Sequence, residues 1–209
     1  MDTTAYKMLL SYQSLWSGYR NTIFYIILSC AITGTLTIVA GFVFSRNRFF
    51  YRNTFMLIIS FTMLFNGGLV PTYIIYSQVF HIRDTIFAMI IPTFLMSAFN
   101  VILMRNYFKT NVPDAIIEAA HLDGASELRT LIDVVLPISV PIIGTIGLMA
   151  GLAYWNDWTS GLYYIVQHQE YYSIQNVLTN MLNNLQFLKS SAPVSYTHLR
   201  AHETLANLV

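Results

Sequence analysis

The sequence predicts an all-α fold, a polytopic transmembrane helical bundle, on three observations. The 209-residue chain is 55% hydrophobic and only 10% charged, with a mean hydropathy of +0.52, whereas soluble domains carry about 25% charged residues. Four apolar stretches contain no Lys, Arg, Asp or Glu, and each is near the roughly 20 residues that a helix needs to cross the hydrocarbon. A polar insert with helical signals separates the third stretch from the fourth.

The four stretches are predicted to be membrane spans, and basic residues orient them. They cover residues 22–44, 54–70, 86–104 and 136–155. The loops after the first and third spans hold most of the basic residues close to span ends, namely Arg46, Arg48, Arg52, Arg105, Lys109 and Arg129. Both loops are therefore expected on the cytoplasmic side. Residues 1–21 then fall outside the cell. Either this short tail crosses the membrane unaided or an earlier span is missing, and the missing span is favoured.

The composition argues against several other functions. A net charge of +1 gives no case for nucleic-acid binding. The single cysteine, Cys30, lies in an apolar stretch and cannot form an internal disulfide. The chain has no G-x-x-x-x-G-K-[ST] loop and no G-x-S-x-G motif, so we expect neither a nucleotide site nor a catalytic centre. We therefore do not expect an enzyme.

The C-terminal tail does not continue the sequence pattern of the polar helix predicted before it. Residues Val194–Thr204 resemble the translation of a transposon-end adapter used in sequencing libraries, so residues 194–209 are expected to be non-native and are excluded from fold reasoning. His198 and His202 have the i, i+4 spacing of a metal pair, but they fall within this tail. No metal site is expected.

The polar insert carries the strongest local signals. Asn111 and Pro113 precede an Ala-rich stretch, Asp114–Leu122, and predict a helix start with a polar cap and a proline. Gly124 then predicts a sharp turn, because glycine adopts backbone angles that a side chain resists. A second helix follows, with one apolar face predicted from the spacing of Leu128, Leu131, Ile132 and Val135. Pro137 and Pro141 are expected to break the chain where it re-enters the membrane.

The insert resembles a known signature. Glu118-Ala119-Ala120, then Asp123-Gly124-Ala125, then Leu136-Pro137 are similar to the EAA signature of type I ABC importer permeases. The resemblance implies a transmembrane domain over residues 22–188, with a cytoplasmic coupling loop over residues 105–135 that docks on an ATPase subunit. The implied coupling residues are Glu118, Ala119, Ala120, Leu122, Asp123, Gly124, Ala125, Leu136 and Pro137.

Three further segments narrow the resemblance to one branch of that family. Phe61–Tyr73, Met104–Phe108 and Tyr154–Trp158 resemble carbohydrate-importer permeases of the maltose-transporter type, and the pair Gly67-Gly68 is closest to a subgroup handling plant-polysaccharide oligosaccharides. This resemblance, which covers roughly Ala5 to Leu188, implies a multi-pass subunit of the bacterial inner membrane in an ATP-driven, binding-protein-dependent importer. Family members usually have six spans, and this chain shows four.

The resemblance also implies partners and cofactor use. A second permease subunit would complete a heterodimer, two cytoplasmic ATPase subunits would bind the ATP, and an extracellular sugar-binding protein would deliver the sugar. This chain itself is expected to hold no cofactor. Lipid surrounds it.

Five residues are candidates for the substrate path, and each of them also has a purely structural interpretation. Gly67 and Gly68 form either an unwound segment on the path or an ordinary helix end. Asn100 bonds either a sugar or a neighbouring helix, and the helix is favoured. Trp155 and Asn156 contact either sugar or the membrane interface, and the interface is favoured.

Two nearby residues have similarly open readings. Pro92 is either a structural kink or a hinge for alternating access. Asp157, beside Asn156, is expected to need no special role.

Three rival functions stay open. The first is an ABC permease for a non-sugar solute, because the EAA loop would contact the ATPase subunit and not the transported solute. The second is a secondary transporter or channel, which would show charged residues within its spans, and none lies there. The third is a non-functional fragment of a longer permease.

Overall fold

The computed structural model describes residues 13–94 and 96–206, and this part of the chain forms helices and no strand. The predicted all-α bundle is confirmed. The α-helices, in chain order, are α1 (Gln13–Ser45), α2 (Arg52–Leu64), α3 (Leu69–Ile74), α4 (Ile91–Phe94), α5 (Ala98–Asn111), α6 (Asp114–Leu122), α7 (Glu127–Thr130), α8 (Leu136–Ile138), α9 (Val140–Trp155), α10 (Thr159–Tyr164) and α11 (Ile174–Ala206). Irregular helical turns add Ile75–Val79, Ile86–Met89, Leu131–Val135 and Gln169–Tyr171.

Helix α1 runs through the middle of the bundle and packs against α5, α9 and α11. Its buried positions recur every three or four residues and are mostly small or hydroxyl-bearing: Gly18, Thr22, Tyr25, Ser29, Thr33, Thr37, Gly41 and Phe42. Its other face exposes large apolar side chains such as Ile23 and Ile27. This is the pattern of a membrane helix, because lipid is as apolar as leucine and small residues let helices approach closely.

The predicted number of continuous spans is wrong. Among the described residues, only α1 is a single helix long and apolar enough to cross a membrane. Two more spans arise if each bent pair counts as one: residues 52–64 with 69–79, bent by 112°, and residues 127–138 with 140–155, bent by 85°. The predicted spans 54–70 and 136–155 are therefore broken helices, with breaks after Leu64 and at Ser139.

The third predicted span, 86–104, is not one helix. It consists of a short turn over Ile86–Met89, then α4, and then the first half of α5. Pro92 is the second residue of α4, where the missing N–H is tolerated, so it starts a short helix rather than kinking a long one. The tyrosine hydroxyl of Tyr154 donates a hydrogen bond to the carbonyl oxygen of Ile90 (3.1 Å) and satisfies a backbone group at the break.

Two hydrophobic clusters hold the bundle together, one at each end. The first joins α1, α5, α6, α9 and the turn Leu131–Val135 through Phe42, Met104, Phe108, Val112, Ile117, Leu131, Val135, Ile142 and Ile146. We call this the EAA end, because it includes the segment that carries the EAA resemblance. The second cluster, at the opposite end, contains Tyr25, Ala88, Met89, Ile90, Tyr164 and Ile165.

A carboxylate clamp fixes the loop before residue 86 to the loop after α10. Asp84 accepts hydrogen bonds at Oδ1 from the backbone N–H groups of Val166 (2.6 Å) and Gln167 (2.8 Å), and its own N–H donates to the carbonyl oxygen of Tyr164 (2.9 Å). Burial alone would raise the pKa of Asp84, but these N–H donors and the neighbouring Arg83 hold that pKa below its ordinary value.

The clamp gives a pH-dependent prediction. Because the folded-state pKa of Asp84 is lowered, its contribution is complete above the ordinary carboxyl pKa and is lost as the pH falls through the lowered value. We expect Asp84→Asn to destabilise the purified chain by about 1.5–3 kcal/mol at pH 7, the range for hydrogen bonds to a charged group. Asparagine tolerates the positive φ of 56° at this position.

The measurement is thermal unfolding in detergent between pH 7 and about pH 3. The unmodified chain should lose stability at the acid end, and the Asn variant should show a smaller loss over the same range. Equal acid sensitivity in the two proteins would count against the clamp.

Candidate functional site

Helix α6 begins and ends at the residues that the sequence predicts. Pro113, with a φ of −60°, precedes the first helical residue, and Asp114 lies in the first turn, near the positive end of the helix dipole. The predicted cap at Asn111 is wrong. Asn111 is the last residue of α5, and its side-chain amide donates to the carbonyl oxygen of Tyr107 (3.2 Å) and to the hydroxyl of Thr110 (2.9 Å).

Gly124 makes the turn between α6 and α7. Its φ is +83°, the left-handed region that favours glycine. Its N–H donates to the carbonyl oxygen of His121 (3.0 Å), and the N–H of Ala125 donates to that of Ala120 (2.9 Å), which closes the end of α6. Ser126 then caps α7 by accepting a hydrogen bond from the N–H of Arg129 (3.4 Å).

His121 ties the two helices across this turn. Its Nδ1 lies 3.1 Å from the carbonyl oxygen of Ala125, and its Nε2 lies 3.5 Å from Oε1 of Glu127 at the start of α7. The turn is therefore held by side-chain contacts as well as by the backbone.

One side of the EAA segment packs against the spans. Ile117 of α6 is 3% exposed and lies in the same cluster as Phe42 and Phe108, while Leu131 and Val135 reach this cluster from the turn after α7. The predicted single apolar face of the second helix is wrong, because Leu128 and Ile132 are exposed. The apolar residues are divided between a buried face and an open one.

The other side of the EAA segment is open. Leu122 is 89% exposed, an unusual degree for a large apolar side chain, and Glu118, Ala119, Asp123 and Gly124 are also exposed. Ala120 and Ala125 are half-buried. The carboxylate of Glu118 forms no ion pair within the described ranges. A small-residue surface with a free carboxylate and an exposed leucine suits docking of another protein.

Leu136 and Pro137 lie where the segment joins α9. Leu136 is half-buried and packs against the cluster at the EAA end, whereas Pro137 is exposed. The chain bends by 85° here, and the N–H of Ser139 donates to the carbonyl oxygens of Val135 (3.1 Å) and Leu136 (3.0 Å). The predicted break at re-entry is confirmed, and it sets the segment across the start of α9.

Two ion pairs that the sequence does not predict link the loop after α1 to this segment. Arg46 Nη1 lies 3.3 Å from Oδ1 of Asp114 at the start of α6, and Arg48 Nη1 lies 4.0 Å from Oε1 of Glu127 at the start of α7. The pair of Arg48 is exposed and contributes little. Arg46 is 18% exposed and Asp114 67% exposed, so solvent screens this pair in part, but less than it screens the pair of Arg48.

The candidate path residues do not form one site among the described residues. Gly67 and Gly68 lie in the four-residue break between α2 and α3, where Gly68 has a φ of +87° and its N–H donates to Oδ1 of Asn66 (3.0 Å). This is an unwound backbone rather than a simple helix end. Asn100 is buried inside α5. A cavity of about 710 Å³ between the start of α1 and α11 is lined by none of the candidates.

Trp155 and Asn156 have local structural partners. The ring of Trp155 lies 6.4 Å from that of Tyr19 on α1, and the side-chain amide of Asn156 donates to the carbonyl oxygen of Leu152 (2.8 Å) at the end of α9. These contacts lie within the bundle and do not distinguish a sugar contact from a place at the membrane interface. Their role toward a substrate stays a prediction.

The expectation that Asp157 needs no special role is wrong. The residue is 7% exposed, and its Oδ1 accepts from the N–H groups of Thr159 (3.0 Å) and Ser160 (3.1 Å) and from the Thr159 hydroxyl (2.8 Å). It caps α10. The hydroxyl of Ser173 donates to the carbonyl oxygen of Asp157 (3.1 Å), which connects this cap to the start of α11. Asp-x-Thr-Ser before a helix is a capping signal that the sequence did contain.

A bundle of spanning and broken helices, with a helix-glycine-helix segment exposed at one end, defines a polytopic membrane protein. The family of binding-protein-dependent transport system inner membrane components matches residues 17–196. The chain belongs to this family, whose members are membrane transport components and not enzymes.

Relatives of known role support the same class. The polygalacturonan/rhamnogalacturonan transport system permease protein YtcP of Bacillus subtilis (strain 168) is 31% identical over 161 residues, 77% of this chain and 55% of the relative. The maltodextrin transport system permease protein MalD of Streptococcus pneumoniae (strain ATCC BAA-255 / R6) is 27% identical over 194 residues, 88% of this chain and 66% of the relative.

A solved structure is similar as well. In the crystal structure of a bacterial ABC transporter involved in the import of the acidic polysaccharide alginate, one chain has 30% sequence identity and a TM-score of 0.83. The match covers 91% of this chain and 68% of that chain. The chain spans about half the length of the first curated relatives it matches.

Proposed function

We propose that this chain is part of the transmembrane permease subunit of an ATP-driven, binding-protein-dependent importer of carbohydrates, with oligosaccharides as the substrate class. The observation that carries the proposal is the two-sided EAA segment. One side joins the cluster through Ile117, and the other presents Glu118 and Leu122 to a partner. A push on the open side is transmitted to α1, α5 and α9, because a packed cluster moves as a unit.

The partners follow from this role. The EAA end faces the cytoplasm, as the basic loops after α1 and α5 indicate, and contacts one of two ATPase subunits. A second permease subunit completes a heterodimer, and an extracellular binding protein delivers the sugar. ATP is bound by the ATPase pair. Its closure moves the EAA segment and switches the spans between inward-facing and outward-facing states.

The substrate class rests on relatives whose printed roles concern polygalacturonan, maltodextrin and alginate. The alternatives are a permease for a non-sugar solute and a non-functional fragment. A complete importer, with the permease extended to the length of its relatives, can be reconstituted in proteoliposomes and offered labelled oligogalacturonides, maltodextrins, peptides and phosphate esters. Uptake of a sugar supports the proposal, and uptake of only a non-sugar solute supports the first alternative.

The docking role is tested by Glu118→Lys in that importer. A charge-assisted hydrogen bond contributes about 1.5–3 kcal/mol, and each 1.4 kcal/mol is about tenfold. We therefore expect the affinity for the ATPase subunits and ATP-driven sugar uptake to fall about tenfold or more. The measurements are ATPase co-purification and uptake in proteoliposomes.

Glu170→Lys is the matched control, since Glu170 is an exposed carboxylate at the opposite end of the bundle. It changes the net charge equally and should leave ATPase binding intact. Normal uptake by Glu118→Lys, or an equal loss in both variants, would contradict the docking role.

A further inference from the structure

A small cavity lies where the ends of α1 and α5 meet the start of α6. Its volume is about 110 Å³. Its polar lining includes Arg46, Lys109 and Asp114, and Phe42, Phe108 and Ile117 contribute apolar walls. A single buried water needs roughly 10–15 Å³ of such space, so the oxygens of a phosphate group fit here.

Arg46 has an unused donor at this cavity. Its Nη1 is paired with Oδ1 of Asp114 (3.3 Å), and its guanidinium lies 5.9 Å from the centre of the Phe42 ring. Its Nε is buried and has no hydrogen-bond partner among the described residues. A buried donor on a charged group is costly to leave unpaired, so the site favours a ligand that brings an acceptor.

The charge at the cavity favours an anion. Arg46 and Lys109 contribute two positive charges, and Asp114 contributes one negative charge that is already paired with Arg46. Lys109 forms no ion pair in the part of the chain that the structure describes. An acceptor-rich anion with several oxygens can engage Nε of Arg46 and the Lys109 ammonium together.

The position of the cavity indicates which kind of anion would bind there. α1 ends at Ser45, directly before Arg46, so the cavity lies where a membrane span meets the headgroup region. In the loop after α1, Phe50 is 86% exposed and Tyr51 58% exposed, and aromatic side chains of this kind occur at membrane interfaces. Basic pockets between membrane helices on the cytoplasmic side bind lipid headgroups.

We propose that this cavity binds the phosphate group of an anionic phospholipid, held by Arg46 and Lys109 between α1, α5 and α6. The lipid thereby contacts the start of α6, the first helix of the EAA segment. The proposal needs only that the chain lies in a membrane. It does not depend on the substrate or on the ATPase, so it can fail while the proposed function stands.

The test measures phospholipid retained by the full 209-residue chain, purified from vesicles of phosphatidylglycerol and phosphatidylcholine and analysed by native mass spectrometry. We expect a preference for phosphatidylglycerol, and we expect Lys109→Gln and Arg46→Gln each to lower its retention about fivefold, the effect of one basic residue near an anionic surface. Lys109 is exposed, so Lys109→Gln should fold even if Arg46→Gln does not.

Two further variants sharpen the test. Arg129→Gln removes a charge from an exposed arginine at the same end but outside the cavity, paired with Asp133 (3.1 Å), and should leave retention unchanged. Asp114→Asn removes the competing carboxylate and should raise retention. Equal loss in Arg129→Gln and Lys109→Gln would overturn the proposal, because it would show a general effect of surface charge.

Inorganic phosphate distinguishes a lipid from a free anion. The same chain in phosphatidylcholine nanodiscs, which present both faces, is titrated with inorganic phosphate by calorimetry. Weak or undetectable binding, together with the phosphatidylglycerol preference, supports the lipid. Tight phosphate binding that depends on Lys109, without any preference for phosphatidylglycerol, would assign the cavity to a soluble anion and overturn the lipid proposal.

Discussion

Replacement of Gly41 by leucine is expected to separate α1 from α5 and to leave little folded protein. A Cβ atom at Gly41 would lie 2.6 Å from Cγ and 2.9 Å from Cβ of Met104, and 3.3 Å from the backbone nitrogen of Arg105. Met104 is fully buried in the cluster at the EAA end, so the side chain has no space into which to move. Overpacking by a few atoms costs about 1–3 kcal/mol, and leucine adds four against a neighbouring helix.

Gly34→Leu on the same helix is the matched control. A Cβ atom at Gly34 meets nothing within 4 Å, so the same substitution there should be tolerated. The measurement is the yield of monodisperse protein in detergent and its unfolding temperature. Equal behaviour of the two variants would show that the close approach of α1 to α5 does not determine stability.

The parts of the fold that the sequence predicts correctly depend on local signals. Helix α6 spans Asp114–Leu122 as predicted, because a proline before the helix, an acidic first turn and a glycine after its end lie within a dozen residues. The long helix α1 is also predicted, since an uncharged apolar stretch of this length has few alternatives. The turn at Gly124 belongs to the same group.

The breaks in the other spans depend on contacts that a sequence pattern does not contain. Apolar content predicts that residues are buried in lipid or protein, but it does not distinguish one continuous helix from two bent ones. Directly before α4, the carbonyl oxygen of Ile90 accepts a hydrogen bond from the hydroxyl of Tyr154, which lies 64 residues further along the chain. Residues 65–68 form an exposed break between two helices. At membrane depth, such an unpaired backbone is tolerated only where other protein segments bury it or where it lines a water-filled cavity.

The candidate site likewise combines features that local sequence signals predict with contacts between residues far apart in the chain. Short-range sequence motifs selected Glu118, Leu122 and Gly124, and all three are exposed, which agrees with the proposed docking. Their role in docking stays a prediction. The ion pair of Arg46 with Asp114 joins residues 68 positions apart, and only the folded chain brings them together. Basic residues near span ends indicate orientation, but they do not indicate which carboxylate they meet.

Gly124→Pro is expected to abolish ATP-driven uptake by a complete importer while leaving basal ATP hydrolysis intact. Proline fixes φ near −65°, whereas Gly124 has a φ of +83°. Proline also lacks the N–H that donates to the carbonyl oxygen of His121 (3.0 Å). Each change alone opens the turn, and the backbone strain adds about 1–3 kcal/mol to the loss of the hydrogen bond. The angle between α6 and α7 is then lost, so a push on Glu118 no longer reaches the cluster at the EAA end.

Gly124→Asn separates the loss of backbone geometry from the loss of glycine itself. Asparagine adopts the left-handed region more readily than other side chains, and a Cβ at this position meets nothing within 4 Å. This variant should therefore retain most uptake, and Gly124→Ala should fall between the two, since alanine with a positive φ costs about 1–2 kcal/mol. The graded order Asn, Ala, Pro in uptake, at constant ATPase content, follows from the backbone angle alone. If asparagine were as damaging as proline, the partner would require the bare glycine surface, and the turn would act by contact rather than by rigidity.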